Sequence, residues 1–290
     1  MDFISLLLLL VSILFASSRN VLTKSFAPFS YKNREFFGLQ AILFGTGSAL
    51  LLLCNTVNFN GISIFTVLIA IVYGTVLLCA QWFYTIALSN GKTAICATIY
   101  AFGFLIPTLS GTIFWHEKIT IFGYLGILMV IPVLIISGMS KKSGNAKNTT
   151  KSYLLPLIIA MICSGLLGII QKIQQKSVYQ PQTSTFVLIA FILCFVVSLL
   201  FFVFSPKGKS KIQVKNLYTS SLIGLFFSTC NVLNTFLAGR LNSSIFFPAI
   251  NIGNILFSLI LGLIIYREKP TKKDFIVLIL SVISILLVNF

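Results

Sequence analysis

Acid is what this chain has least of. Only five of its 290 residues are Asp or Glu, and charged residues of both signs together make up 9%. A soluble domain carries about 25%, so there is too little polar surface here to cover a globule in water. Histidine occurs once. The six cysteines (Cys54, Cys79, Cys96, Cys163, Cys194 and Cys230) lie in or beside apolar runs, without metal-ligand spacing, and read as small packing residues. The lone His116 adjoins Glu117 but has no ligand partners nearby, so no metal, cofactor or catalytic residue is expected. Paired carboxylates and a nucleophile-base set are also missing from the apolar runs, which argues against an enzyme. Residues 3–18 are apolar, yet no basic segment precedes them and no small-residue cleavage pattern follows, which argues against a secretory signal.

What the chain has in abundance is hydrocarbon: 57% of residues are hydrophobic and the mean hydropathy is +1.02. A membrane core of roughly 30 Å needs about 20 apolar residues per helical span, and lipid forbids unpaired backbone polar groups. The runs are continuous rather than alternating, which excludes a barrel. An all-α integral membrane protein is expected, with spans near 3–22, 36–53, 62–88, 93–115, 119–137, 153–173, 184–204, 217–238, 243–266 and 275–288. The net charge of +16 comes from Lys and Arg clustered between spans, where they anchor helix ends at headgroups. The partners expected are therefore the bilayer and a small solute, not nucleic acid.

The longest strongly polar stretch, Lys141 to Ser152, lies at mid-chain and divides the sequence into a first unit (1–140), a linker (141–152) and a second unit (153–290). The units echo one another. Gly111 to Thr120 reads GTIFWHEKIT and Gly262 to Thr271 reads GLIIYREKPT, with five of ten positions identical. Two of the five acidic residues, Glu117 and Glu268, fall at equivalent points. Residues 87–120 laid over 238–271 give eight identities in 34, and Lys24-Ser25 echoes Lys176-Ser177 at nearly the same offset. A unit with five crossings must be followed by a copy entering from the opposite side, so ten transmembrane helices as two inverted five-helix repeats are expected. In such transporters the substrate site lies near the midplane between the repeats.

Two five-helix halves, each with an aromatic-x-Glu-Lys-x-Thr turn after its fourth helix, resemble the drug/metabolite transporter (DMT) superfamily, and within it the EamA-type transporter family. The turns here are Trp115-His116-Glu117-Lys118-Ile119-Thr120 and Tyr266-Arg267-Glu268-Lys269-Pro270-Thr271. The family's Gly before the Glu is replaced in both copies. The resemblance implies a multi-pass protein of the cytoplasmic membrane of a bacterium that moves small organic metabolites, amino acids among them, by alternating access. Drug or toxic-compound efflux is an alternative, and a non-transporting membrane partner or scaffold is another. The superfamily's small multidrug pumps carry an embedded Glu in their first helix. The first and sixth spans here have none, which favours a facilitator or exchanger over a proton-coupled pump.

Glu117 and Glu268 sit at span ends, where a carboxylate meets free backbone N–H groups at a helix start. They are read as structural corners of the repeats. Candidate substrate-binding residues lie inside the spans instead. Asn251, Asn254 and Ser258 share one face of the ninth span, Ser228, Asn231 and Thr235 form a stripe on the eighth with Asn234 beside it, and the third offers Gln81, Trp82 and Thr85. Tyr100 is the repeat counterpart of Asn251. Side chains of this kind either glue helices together or line a hydrated cavity. Arg19 and Lys172 occupy similar places near the ends of the first and sixth spans. They either snorkel to the interface or face the cavity as cations. Finally, 17 of the 21 basic residues fall on odd-numbered connections and their flanks. That bias places both termini outside, whereas the family resemblance places them inside.

Overall fold

The computed structural model describes residues 3–54, 61–115, 121–138, 150–208, 210–241, 243–267 and 272–287. Among them the only regular structure is helical. The helices are α1 (Phe3–Thr23), α2 (Arg34–Leu53), α3 (Ile64–Asn90), α4 (Thr93–Ala101), α5 (Leu105–Trp115), α6 (Ile121–Gly138), α7 (Thr150–Lys176), α8 (Thr183–Phe204), α9 (Val214–Arg240), α10 (Ser243–Tyr266) and α11 (Lys272–Leu287). Seven described helices are long and apolar enough to cross a membrane, those of α1, α2, α3, α7, α8, α9 and α10. The protein is a multi-pass membrane protein. Glu117 and Glu268, and the linker up to residue 149, lie outside the described residues.

The expected fourth span is not one helix. It breaks into α4 and α5 around a 3-10 turn at Phe102–Phe104. The cause is local. Pro107 has no N–H to donate to the carbonyl of Gly103, four residues back, and its ring crowds that carbonyl. The backbone tightens just before it, and glycine at 103 lets the turn press against α7. A Cβ built at Gly103 would sit 2.5 Å from the Met161 carbonyl oxygen, and one at Gly165 would sit 2.5 Å from the Gly103 oxygen. The two backbones touch at paired glycines, as small residues allow in membrane helices.

Burial is reversed relative to a soluble protein. Leu6, Leu7, Leu10 and Leu14 of α1 and Val196, Leu199, Leu200 and Val203 of α8 are exposed, while Arg19, Gln40, Gln81, Thr85 and Gln174 are buried. Apolar faces meet lipid, and polar groups turn inward to find hydrogen-bond partners. The interior holds two apolar clusters. One gathers the early part of α1, the end of α3, α4, the start of α7, the end of α9, α10 and α11. The other joins α2, α3, α8 and much of α9.

Helices pack across the chain's midpoint. α3 packs on α7 and α8, α9 on α1 and α2, α2 on α8, α6 on α11, α10 on α1, and α4 on α7. At one end, the α1–α2 and α8–α9 connections are tied together. Arg34 N–H donates to Pro206 O at 2.9 Å, both Glu35 carboxylate oxygens lie 2.9 Å from Gly208 N, and Ser210 Oγ donates to Pro28 O at 3.2 Å. Short turns close other ends: Gly91 and Lys92 alone separate α3 from α4, and Ser63 caps α3 by accepting from Phe65 N–H at 3.2 Å.

Gly103→Ala should separate the turn from α7. The expected loss is about 1–3 kcal/mol, the usual range for overpacking a close contact, read as a lowered unfolding temperature of the detergent-solubilised protein.

Candidate functional site

A cavity of about 120 Å³ lies where the two apolar clusters meet. Three helices before the linker (α1, α3 and the broken α4–α5) and three after it (α7, α9 and α10) supply its walls. That volume accommodates several waters or a small organic solute. Apolar wall comes from both clusters: Leu77, Leu167 and Phe227 from one, Phe104, Phe246 and Phe247 from the other.

Six of the nine expected binding residues line it: Arg19, Tyr100, Asn231, Asn234, Asn251 and Asn254. Tyr100 and Asn251, equivalent in the repeat alignment, both do so. The other three lie elsewhere. Gln81 is fully buried one layer behind the cavity, where its Oε1 accepts from the Arg19 guanidinium. Trp82 packs edge-on between Phe37 and Phe201, with ring centroids 5.3 and 5.1 Å away. Lys172 is buried and does not line the cavity. Its neighbour Gln171 does. The reason is angular: successive residues on a helix point 100° apart, so of two adjacent polar residues only one meets a given space.

The stripes also divide. Ser228 and Thr235 turn back to their own helix, donating to Leu225 O at 3.1 Å and Asn231 O at 2.7 Å. Ser258 is buried away from the cavity. Asn231 instead joins a chain across three helices. Gln171 Nε2 donates to Tyr73 Oη at 2.8 Å, Tyr73 Oη donates to Asn231 Oδ1 at 2.6 Å, and Asn231 Nδ2 donates to Phe227 O at 2.7 Å. Tyr73 escaped the sequence reading because, among nine tyrosines, nothing along its own helix marks it. Its meaning lies in partners 98 and 158 residues away. On another wall Ser12 Oγ donates to Asn234 Oδ1 at 2.5 Å, and Ser17 Oγ lies 3.0 Å from Asn254 Oδ1.

Arg19 is the charged feature of this space. It is 4% exposed, so it does not snorkel to water. Its Nη1 donates to Asn20 Oδ1 at 2.9 Å and its Nη2 to Gln81 Oε1. Phe227 presents its ring face 3.9 Å from Cζ, a cation–π contact that gains strength when desolvated. Gln81 Nε2 donates in turn to Thr85 Oγ1 at 3.5 Å.

Residues 151–290 match the model of the EamA-like transporter family, part of the DMT superfamily. That match spans the second half of the chain. No curated protein matches the chain. A solved structure titled "Crystal structure of protein" shares the fold, with a TM-score of 0.69 and 14% identity over 99% of this chain and 96% of its own. The matched EamA-like half supplies α7, α9 and α10, and thus the Gln171, Asn231 and Asn251 side of the cavity. EamA-like proteins are membrane transporters rather than enzymes. Among the described residues, no cluster of three or more His, Cys, Asp or Glu could hold a metal.

Tyr73→Phe should remove the donor to Asn231 Oδ1 and the acceptor of Gln171 together. Leaving buried polar atoms unpaired costs about 1–3 kcal/mol, measurable as a drop in thermal stability with the fold retained by circular dichroism.

Proposed function

We propose that this protein is a secondary transporter or facilitator that moves a small organic metabolite across the cytoplasmic membrane by alternating access. Amino acids are among the candidates. The observation that carries the reading is the cavity, with polar groups from three helices on each side of the linker converging on a space of solute size. A scaffold has no need of such a space, since polar side chains used only as glue bond one another across the interface.

In this reading the chain is ten crossings in two inverted five-helix repeats, 1–140 and 153–290. The pattern of packing supports it. Exchanging α1 with α7, α2 with α8, α3 with α9, α4–α5 with α10, and α6 with α11 turns the α3–α7 contact into α9–α1. It likewise turns α2–α9 into α8–α3 and α4–α7 into α10–α1, all of which are present. The α2–α8 and α6–α11 pairs map onto themselves. Glu117 and Glu268 mark the two corners. Rocking of the α2–α3–α8–α9 cluster against the other would open the cavity to either side in turn. The broken α4–α5 helix at its edge follows the habit of transporters, which interrupt helices where substrate binds.

Among the described residues, the walls of the cavity contain no acidic side chain, so a proton has no carboxylate among them to ride on. That supports facilitated diffusion or exchange and counts against proton-driven efflux of cationic drugs.

Asn251→Ala should reduce substrate counterflow in proteoliposomes at least tenfold while membrane abundance falls less than twofold. Equal loss of flux and abundance would instead assign Asn251 to packing. An imposed pH gradient should not drive accumulation, and concentrative uptake under that gradient would defeat the facilitator reading. A C-terminal reporter active on one side only would place the termini, which the excess of basic residues on odd connections puts outside.

A further inference from the structure

We propose that the transported solute bears a carboxylate and that Arg19 binds it. This inference rests on the transport reading and gives its substrate a charge.

A guanidinium carries five N–H donors and no acceptor, and it stays charged at any physiological pH. Arg19 commits donors to Asn20 and Gln81, and its Nε–H is buried with no acceptor among the described residues. Both of its acceptors among the described residues are neutral amides, which orient the group without balancing its charge. Glu35 is the acidic residue with a described side chain, and it is engaged at Gly208. A cation held out of water without an anion is costly, and buried charges are normally paired. An incoming carboxylate offers what the site lacks, a planar anion that matches the fork and takes two N–H bonds at once.

Orientation supports this assignment. Phe227 lies against one face of the guanidinium, and Gln81 and Asn20 hold its edges. The group is therefore held in one orientation at the cavity wall before a ligand arrives, which lowers the entropy cost of binding. The remaining wall is suited to a short carbon skeleton with one more polar group. Ser12 occupies Asn234 Oδ1 and leaves the amide N–H₂ as a donor. Asn251 Nδ2 gives one of its two N–H groups to Phe247 O at 2.6 Å, and Oδ1 is an acceptor for a hydroxyl or ammonium. Tyr100, Phe246 and Phe247 flank the space. A cationic amine would meet Arg19 with like charge. A neutral solute would leave the guanidinium unbalanced.

The test compares isosteric pairs on the purified full-length protein: acetate with acetamide, L-lactate with lactamide, L-alanine with L-alaninamide, and their homologues up to six carbons. Binding is read as a rise in unfolding temperature, since a ligand of the folded state stabilises it, and transport as counterflow in proteoliposomes. At least one carboxylate should bind and exchange, with its amide at least tenfold weaker. Arg19→Gln should weaken the carboxylate tenfold or more, and Arg19→Lys, a point charge without the fork, should fall between. Should Arg19→Gln fail to fold, the carboxylate-against-amide comparison in the unaltered protein decides alone. Amides or amines that bind as well as carboxylates would overturn the inference while leaving the transport reading intact. A folded protein that binds and exchanges no solute of any charge would overturn both.

Discussion

A charged guanidinium kept out of both water and lipid is the constraint around which the interior is arranged. On an insertion scale an Arg at the centre of a membrane helix costs about 2.5–3.5 kcal/mol. That cost is tolerable only where neighbours are polar. Arg19 accordingly sits against Asn20 and Gln81, with Phe227 across its face. Gln81 in turn donates from its side-chain amide to Thr85. Each polar residue requires the next, because in a medium without water an unpaired donor or acceptor finds no substitute. Arg19, Asn20, Gln81 and Thr85 therefore form a connected set across α1 and α3, and Arg19 and Asn20 bring it to the cavity wall.

Close approach between helices makes the opposite contribution. Where Gly103 meets Gly165, and where Gly224 of α9 faces the Leu43 carbonyl of α2, backbones come together with no side chain between them. Lipid supplies little hydrophobic drive for helix association, so contact area and fit must hold the bundle. Glycine contacts that cross the midpoint of the chain tie its parts into one body while leaving room at their centre. The break between α4 and α5 belongs to the same geometry. Pro107 loosens the helix, glycine admits the neighbour, and the loosened segment borders the cavity.

Much of this was visible in the sequence, and the reasons are physical. Continuous apolar runs can only be helices in lipid, so α1, α2, α3, α7, α8, α9 and α10 appear where hydropathy put them. The scarcity of acid drew attention to the Glu-Lys-x-Thr echo and through it to the EamA-like family, which the second half of the chain bears out. The asparagine stripe on α10 was legible because spacing along one helix is a property of the sequence alone. Ser258 shares that spacing, while Trp82 and Lys172 were candidates by residue type and place along their spans; none of the three lines the cavity, because such signals do not say which way a side chain faces.

The sequence by itself determined the solvent of this protein, the positions of its apolar helices and its resemblance to the EamA-like family, because each follows from local composition or from a pattern within one segment. Only the tertiary structure decided which polar residues share a space. Tyr73, Gln171 and Asn231 come from three helices, and Arg19 and Phe227 stand more than 200 positions apart in the chain. No periodicity within one helix encodes such meetings. They depend on the rotation and depth at which helices pack, which is set by all their contacts together.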